Sequence, residues 1–170
     1  MKKTIIVTGC LGLVGYEACL FFSKKKFKVI GIDNNLRKYF FGKDGDTIWQ
    51  LKNLERFKFF KNYSYDIRNY KKLEKIFKKY SHNIDTIIHC AAQPSHDWAA
   101  KEPLTDFTIN SNVTLNILEL TRIYSKNAKF IFLSTNKVYG DTPNKIKLTE
   151  TKYRFQPYDK KLLKNGVSEN

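Results

Sequence analysis

Thr4-Ile5-Ile6-Val7-Thr8-Gly9-Cys10-Leu11-Gly12-Leu13-Val14-Gly15 is the stretch that decides the fold. Its first half is short, apolar and rich in β-branched residues, as a strand buried on both faces should be. Without a spacer it enters a G-x-x-G-x-x-G run, and a helical pattern from Leu13 to Lys25 follows. Strand, glycine turn and helix in that order make a cradle for phosphate. Gly9, Gly12 and Gly15 permit the tight turn, let backbone N–H groups approach a pyrophosphate and let the helix pack on the strand, while the helix N-terminus supplies positive potential. Glycine turns are common, so the run needs its context before it carries weight.

Working outward, apolar strand patterns alternate with helical ones. Strands are predicted at Thr4 to Thr8, Lys28 to Ile32, Phe57 to Phe60, Thr86 to Cys90 and Phe130 to Leu133, and helices at Leu13 to Lys25, Tyr70 to Tyr80 and Pro103 to Tyr124. Such alternation is the sequence form of stacked βαβ units around a parallel sheet. Asn34 and Asn35 mark a loop after the second strand. From Thr135 to Asn170 the chain reads as loop with at most short helical pieces and no strand. The fold class is α/β, a Rossmann-type parallel sheet with flanking helices, incomplete on its C-terminal side. Residues 1–170 are read as a single domain.

At 170 residues and 42% hydrophobic, the chain is sized for one core. Its formal charge of +15 raises the question of nucleic acid. The lysines are spread over every predicted helix and loop rather than gathered on one element, several near helix C-termini where they suit the helix dipole. The reading is no nucleic-acid partner. Cys10, Cys19 and Cys90 show no paired spacing, so neither a disulfide framework nor a zinc site is indicated, and a reducing cytoplasm fits. His82, His89 and His96 lack metal-ligand spacing, and no metal is assigned. The first apolar run is too short for a signal segment or a membrane span.

Asp33 follows the second strand at about the ~20-residue distance expected of a carboxylate that binds an adenosine ribose, which favours NAD. A turn or cap role for Asp33 stays open, and Arg37 nearby would tolerate a 2′-phosphate. With these residues the sequence resembles the extended short-chain dehydrogenase/reductase family of NAD-dependent epimerases and dehydratases. The resemblance implies that Asp66 and Ile67, in Asp66-Ile67-Arg68, lie against adenine, with a helix N-cap by Asp66 as the alternative. It implies that Ala91, Ala92 and Gln93, in His89-Cys90-Ala91-Ala92-Gln93, let the cofactor approach the backbone, where close packing of the alanines would serve equally. Asn110 resembles the helix asparagine that holds the active-site region together, although the family usually carries glycine where this chain has Val113.

Ser134-Thr135-Asn136-Lys137-Val138-Tyr139-Gly140 resembles the family's S-[ST]-x-x-V-Y-G segment, which puts Thr135 at the catalytic Ser/Thr position. Together with Gln93-Pro94-Ser95-His96-Asp97-Trp98-Ala99 it is similar to the CDP-paratose 2-epimerase branch, implying a CDP-sugar substrate. On that reading Ser95, His96 and Tyr139 contact substrate, a solvent-facing His96 being the alternative. The family also needs a tyrosine that takes a proton from a sugar hydroxyl and a lysine four residues on, because a phenol with a pKa near ~10 is a poor base at neutral pH without a nearby cation. The only Tyr-x-x-x-Lys here is Tyr39 to Lys43, on the wrong side of Thr135. The resemblance therefore implies the NAD-binding portion of a sugar-nucleotide epimerase, with residues 1–170 a single, truncated NAD(P)-binding domain without a substrate lobe, inactive alone and open to aggregation or homo-oligomer formation through an exposed sheet edge or apolar face. A dehydratase or reductase of the same family, and a non-catalytic NAD-binding module, are the other readings.

Overall fold

The structure is a computed structural model that describes residues 3–167. Two compact units are present, one ending at Leu133 and one beginning at Ser134. The first holds a five-stranded parallel sheet in the order β3-β2-β1-β4-β5, built from β1 (Thr4–Thr8), β2 (Lys28–Ile32), β3 (Phe60–Tyr63), β4 (Ile84–His89) and β5 (Lys129–Phe132). The strands are connected by α1 (Leu13–Lys24), α2 (Arg37–Phe41), α3 (Ile48–Leu54), α4 (Tyr70–Tyr80), α5 (His96–Lys101), α6 (Pro103–Phe107) and α7 (Val113–Tyr124).

Alternation along the strands divides the core between the two faces of the sheet. Ile6, Ile30, Ile32 and Ile87 pack with Leu73, Ile76 and Phe77 of α4 and Val113, Ile117 and Leu120 of α7. Ile5, Val7, Val29 and Ile88 pack on the other face with Tyr16 and Cys19 of α1 and Leu54 of α3. Val113 is fully buried in the first of these two clusters, on the face covered by α4 and α7. The sheet register sets Thr8 opposite Ile32 and His89, so the residues that follow, Gly9, Asp33 and Cys90, emerge at one edge.

Three strands have bounds that differ from the sequence reading. β3 begins at Phe60 because Phe57 is held in a turn, its N–H donating to Leu54 O, and the Phe60 N–H returns to Phe57 O. β4 and β5 each start earlier than predicted, where Ile84 pairs with Thr4 and Lys129 with Thr86. The long helix predicted from Pro103 is interrupted by a π turn at Thr108–Asn112. The loop expected after β2 contains α2 and α3, helices of 5 and 7 residues, too short for a periodic signal and dependent on packing for stability.

The second unit, read from sequence as lacking strands, contains an antiparallel hairpin of β6 (Leu148–Glu150) and β7 (Phe155–Pro157), followed by α8 (Lys160–Asn165). Each strand has three residues and little burial, so no alternating pattern announced it. Asp159 caps α8, accepting from the Lys161 and Leu162 N–H groups.

Among the described residues no helix is long and apolar enough to cross a membrane. At the sheet edge, β5 leaves Ile131 46% and Phe132 53% exposed, whereas every residue of β1 is buried. An unpaired apolar edge is a template for further pairing, and an edge lysine blunts it. Sedimentation velocity on the chain should show association rising with concentration, which Ile131→Lys reduces without loss of helical circular dichroism. Unchanged association in that variant would remove β5 from the contact.

Candidate functional site

The glycine turn is shaped by one close approach. Gly9 has φ +65°, and a Cβ built on it would lie 2.7 Å from both Cα and N of Ala91. A side chain there is refused by conformation and by space. A Cβ on Gly15 would sit 2.1 Å from the Gly9 carbonyl oxygen, which is the close helix-to-turn packing that the third glycine of such a run provides. Gly12 donates to Gly9 O at 3.0 Å and opens α1 without a side-chain cap or any acidic residue in the first turn. The leading N–H groups of α1 have no partner within the helix and no competing carboxylate, which suits an anion.

Asp33 fastens this turn to β2. Its Oδ2 accepts from the Leu11 N–H at 2.9 Å and its Oδ1 from the Asn35 N–H at 2.8 Å. Burial raises the carboxyl above the ordinary carboxylate range, and the two backbone donors act against that rise. Each oxygen retains a lone pair for a further donor such as a ribose hydroxyl. The turn role and the ribose role, left as alternatives by the sequence, are therefore compatible.

Gly9, Gly12, Gly15, Asp33, Asp66, Ile67, Ala91 and Ala92 line one groove of about 250 Å³. Asp66 is gripped by its neighbour: the Arg68 guanidinium donates to Oδ1 at 3.0 Å and to Oδ2 at 2.6 Å, holding the Asp66 carboxyl below its ordinary range. Asp66 does not cap the helix. Asn69 does, accepting from the Lys72 N–H at 3.1 Å.

Gln93 and Asn110 lie just past Ala92 and are joined to each other. Asn110 Oδ1 accepts from the Gln93 N–H at 2.9 Å, and Asn110 Nδ2 donates to Gln93 O at 3.2 Å and to Asp106 Oδ1 at 2.9 Å. The π turn carries Asn110 at this junction. Ser95 caps α5, its Oγ accepting from the Trp98 N–H at 3.3 Å, and His96 opens the same helix exposed. Thr135 and Tyr139 belong to the second unit, where the Thr135 carbonyl accepts from the Val138 N–H at 3.4 Å and Tyr139 ends a short helical turn, half-buried.

Sequence reading missed two features. The first is a buried polar chain through His89, which is 1% exposed. Thr114 Oγ1 donates to Asn110 O at 2.6 Å and so accepts from His89 Nε2 at 3.0 Å. Nδ1 is then the acceptor for the Thr8 hydroxyl at 2.6 Å, and Thr8 Oγ1 accepts from the Ala91 N–H at 3.3 Å. Every proton has one place to go, and the imidazole is neutral. Burial lowers its pKa to about 4. A histidine at the end of a buried strand was visible in the sequence, but its partners lie 81 and 25 residues away.

The second is an outer wall. Leu36, Arg37, Phe40, Phe41 and Thr47 face the groove from the segment after β2. Asn35, at φ +59°, closes that segment by accepting from Thr47 N and Oγ1 and donating to Asp46. Trp98 Nε1 donates to Phe40 O at 2.8 Å and Tyr39 OH to Glu102 at 2.7 Å, tying α2 to the start of the α5–α6 region. The Arg37 guanidinium stacks 4.7 Å from the Phe41 ring centre.

A sequence profile of the NAD dependent epimerase/dehydratase family matches residues 5–163. The chain belongs to that family. Among this epimerase/dehydratase family's curated members, CDP-paratose 2-epimerase of Salmonella typhi is 34% identical over 166 residues, covering 98% of this chain and 45% of the relative. UDP-glucuronate 4-epimerase of Thermodesulfobacterium geofontis is 33% identical over 141 residues, covering 81% and 41%. The chain thus spans less than half the length of these relatives. UDP-glucose 4-epimerase from Bifidobacterium longum, solved in complex with NAD+ and UDP, superimposes with a TM-score of 0.69 at 26% identity, over 88% of this chain and 42% of that one.

The His89 chain yields a pH prediction. In the unfolded state imidazole takes a proton below 6.5, but in the fold only near 4, so stability is complete above 6.5 and falls as pH drops toward 4. The shift corresponds to about 3 kcal/mol. Chemical unfolding at pH 7 and pH 4 should show His89→Gln losing less stability than the parent by an amount of that order. Equal losses would place no titrating burden on His89.

Proposed function

We propose that this chain is the N-terminal, NAD-binding portion of a sugar-nucleotide epimerase that acts on a CDP-sugar. Residues 1–170 act on this reading as one NAD(P)-binding domain, with the substrate lobe and the Tyr-x-x-x-Lys pair supplied by sequence outside them, so the chain alone is inactive. The observation that carries the cofactor assignment is Asp33, anchored to the glycine turn through Leu11 and facing the groove with lone pairs to spare. A 2′-phosphate beside this carboxylate would be repelled, so NAD is preferred to NADP, with Arg37 as a partial offset.

NAD supplies hydride acceptance and return when bound. The chain's own residues do the rest: the N-terminus of α1 faces the pyrophosphate, Asp33 accepts from the ribose, and Asp66 and Ile67 border the adenine. Gln93 and Asn110 fix the segment beyond Ala92 through their reciprocal bonds. Thr135 hydrogen-bonds the reacting sugar hydroxyl, and Ser95, His96 and Tyr139 contact the nucleotide-sugar. The identity to CDP-paratose 2-epimerase over 98% of the chain supports the CDP-sugar. Three free thiols accord with a cytoplasmic location.

Calorimetric titration should find NAD bound at least tenfold more tightly than NADP. Asp33→Ala should weaken NAD by an order of magnitude and narrow the gap between the two cofactors. NADP binding as tightly as NAD to the parent chain would overturn the assignment of Asp33.

A further inference from the structure

A second groove lies at the opposite end of the sheet from the cofactor site. It has a volume of about 590 Å³ and is bordered by the first residues of β1, β2 and β3 and the last turn of α4. Lys28, Lys58, Lys61 and Lys79 line it, and no aspartate or glutamate does. Among the described residues none of the four is in an ion pair, although other lysines of the chain are. Two of the ammonium groups share one aromatic ring: Lys28 Nζ sits 4.6 Å and Lys79 Nζ 5.7 Å from the centre of Tyr80. Thr4, also on the lining, has a buried hydroxyl without a hydrogen-bond partner.

Like charges converging on a concavity repel one another and raise the local concentration of anions. The negative end of α4 offsets only about half a charge of the four. We propose that this groove is a second anion site that takes the di- or triphosphate group of a small molecule. The volume falls within the range of about 300–1,000 Å³ typical of small-ligand sites. A single nucleic-acid strand fits less well, because grooves that hold such strands pair their positive charge with open aromatic faces for base stacking. Here the Tyr80 ring is taken by lysines, Lys58 Nζ lies 5.8 Å from the centre of the half-buried Phe59 ring, and Phe60 is buried.

The test is calorimetric titration of the full chain with inorganic tripolyphosphate. It compares the parent with Lys28→Ser/Lys79→Ser and with Lys24→Ser/Lys25→Ser, a control of equal charge at the end of α1. The expected result is a saturable equivalent that is weakened at least tenfold in the first double variant and retained in the control, whatever also binds at the glycine turn. Thermal unfolding of each variant shows that the fold is kept, and Lys28→Arg/Lys79→Arg should restore the equivalent. Equal weakening in both double variants would reduce the effect to diffuse charge and overturn the site. So would the absence of a saturable equivalent, or oligothymidylate binding there more tightly than tripolyphosphate.

Discussion

The approach of Gly9 to Ala91 is the constraint on which the rest of the site depends. With 2.7 Å left for a hypothetical side-chain carbon, the turn after β1 rests against the backbone after β4. That contact brings three strand ends to one edge and leaves the N-terminus of α1 facing the groove. The surrounding bonds hold it in place: Asp33 pins the turn from the β2 side, and Thr8 receives the Ala91 N–H from the β4 side. Through His89 and Thr114 the same connection reaches Asn110, whose side chain fixes Gln93. A single polar chain thus links the glycine turn to the segment in which the family resemblance places substrate contacts.

A buried chain of this kind is costly unless every donor and acceptor is matched. Matching is achieved here by one tautomer of a neutral histidine, and burial lowers the His89 pKa so that it stays uncharged at neutral pH. The apolar layers on both sides of the sheet supply the general stability. The polar chain supplies the register between turn and helix. Asp33 illustrates the same economy, since each of its oxygens satisfies one backbone donor and still presents a lone pair to the groove.

Much of this was legible in the sequence, for physical reasons that differ by region. Strands buried on both faces are continuous apolar runs, so β1 and β2 were found at their observed bounds, and the glycine spacing with Asp33 located the groove. The wall after β2 was not legible. Its helices are too short to show a period, and its latch consists of long-range bonds such as Trp98 to Phe40. The hairpin β6–β7 escaped for a related reason, because exposed three-residue strands carry no alternation. Asp66 was read with a cap alternative that belongs to Asn69, since three residues, Ile67 to Asn69, separate the acid from the helix it seemed to open. The π turn at Asn110 has no sequence signature at all, yet it sits where the asparagine must meet Gln93.

The central claim is that NAD lies across the C-terminal ends of β1, β2 and β4, on the glycine turn. Amide NMR of the chain titrated with NAD tests it most directly. The account predicts perturbation of the amides of Leu13 to Gly15, of Ile67 and of Ala91, saturating ahead of any change at Lys28 and Lys61 at the other end of the sheet. An NAD-dependent response confined to that other end, or none at the glycine turn at saturating cofactor, would contradict it.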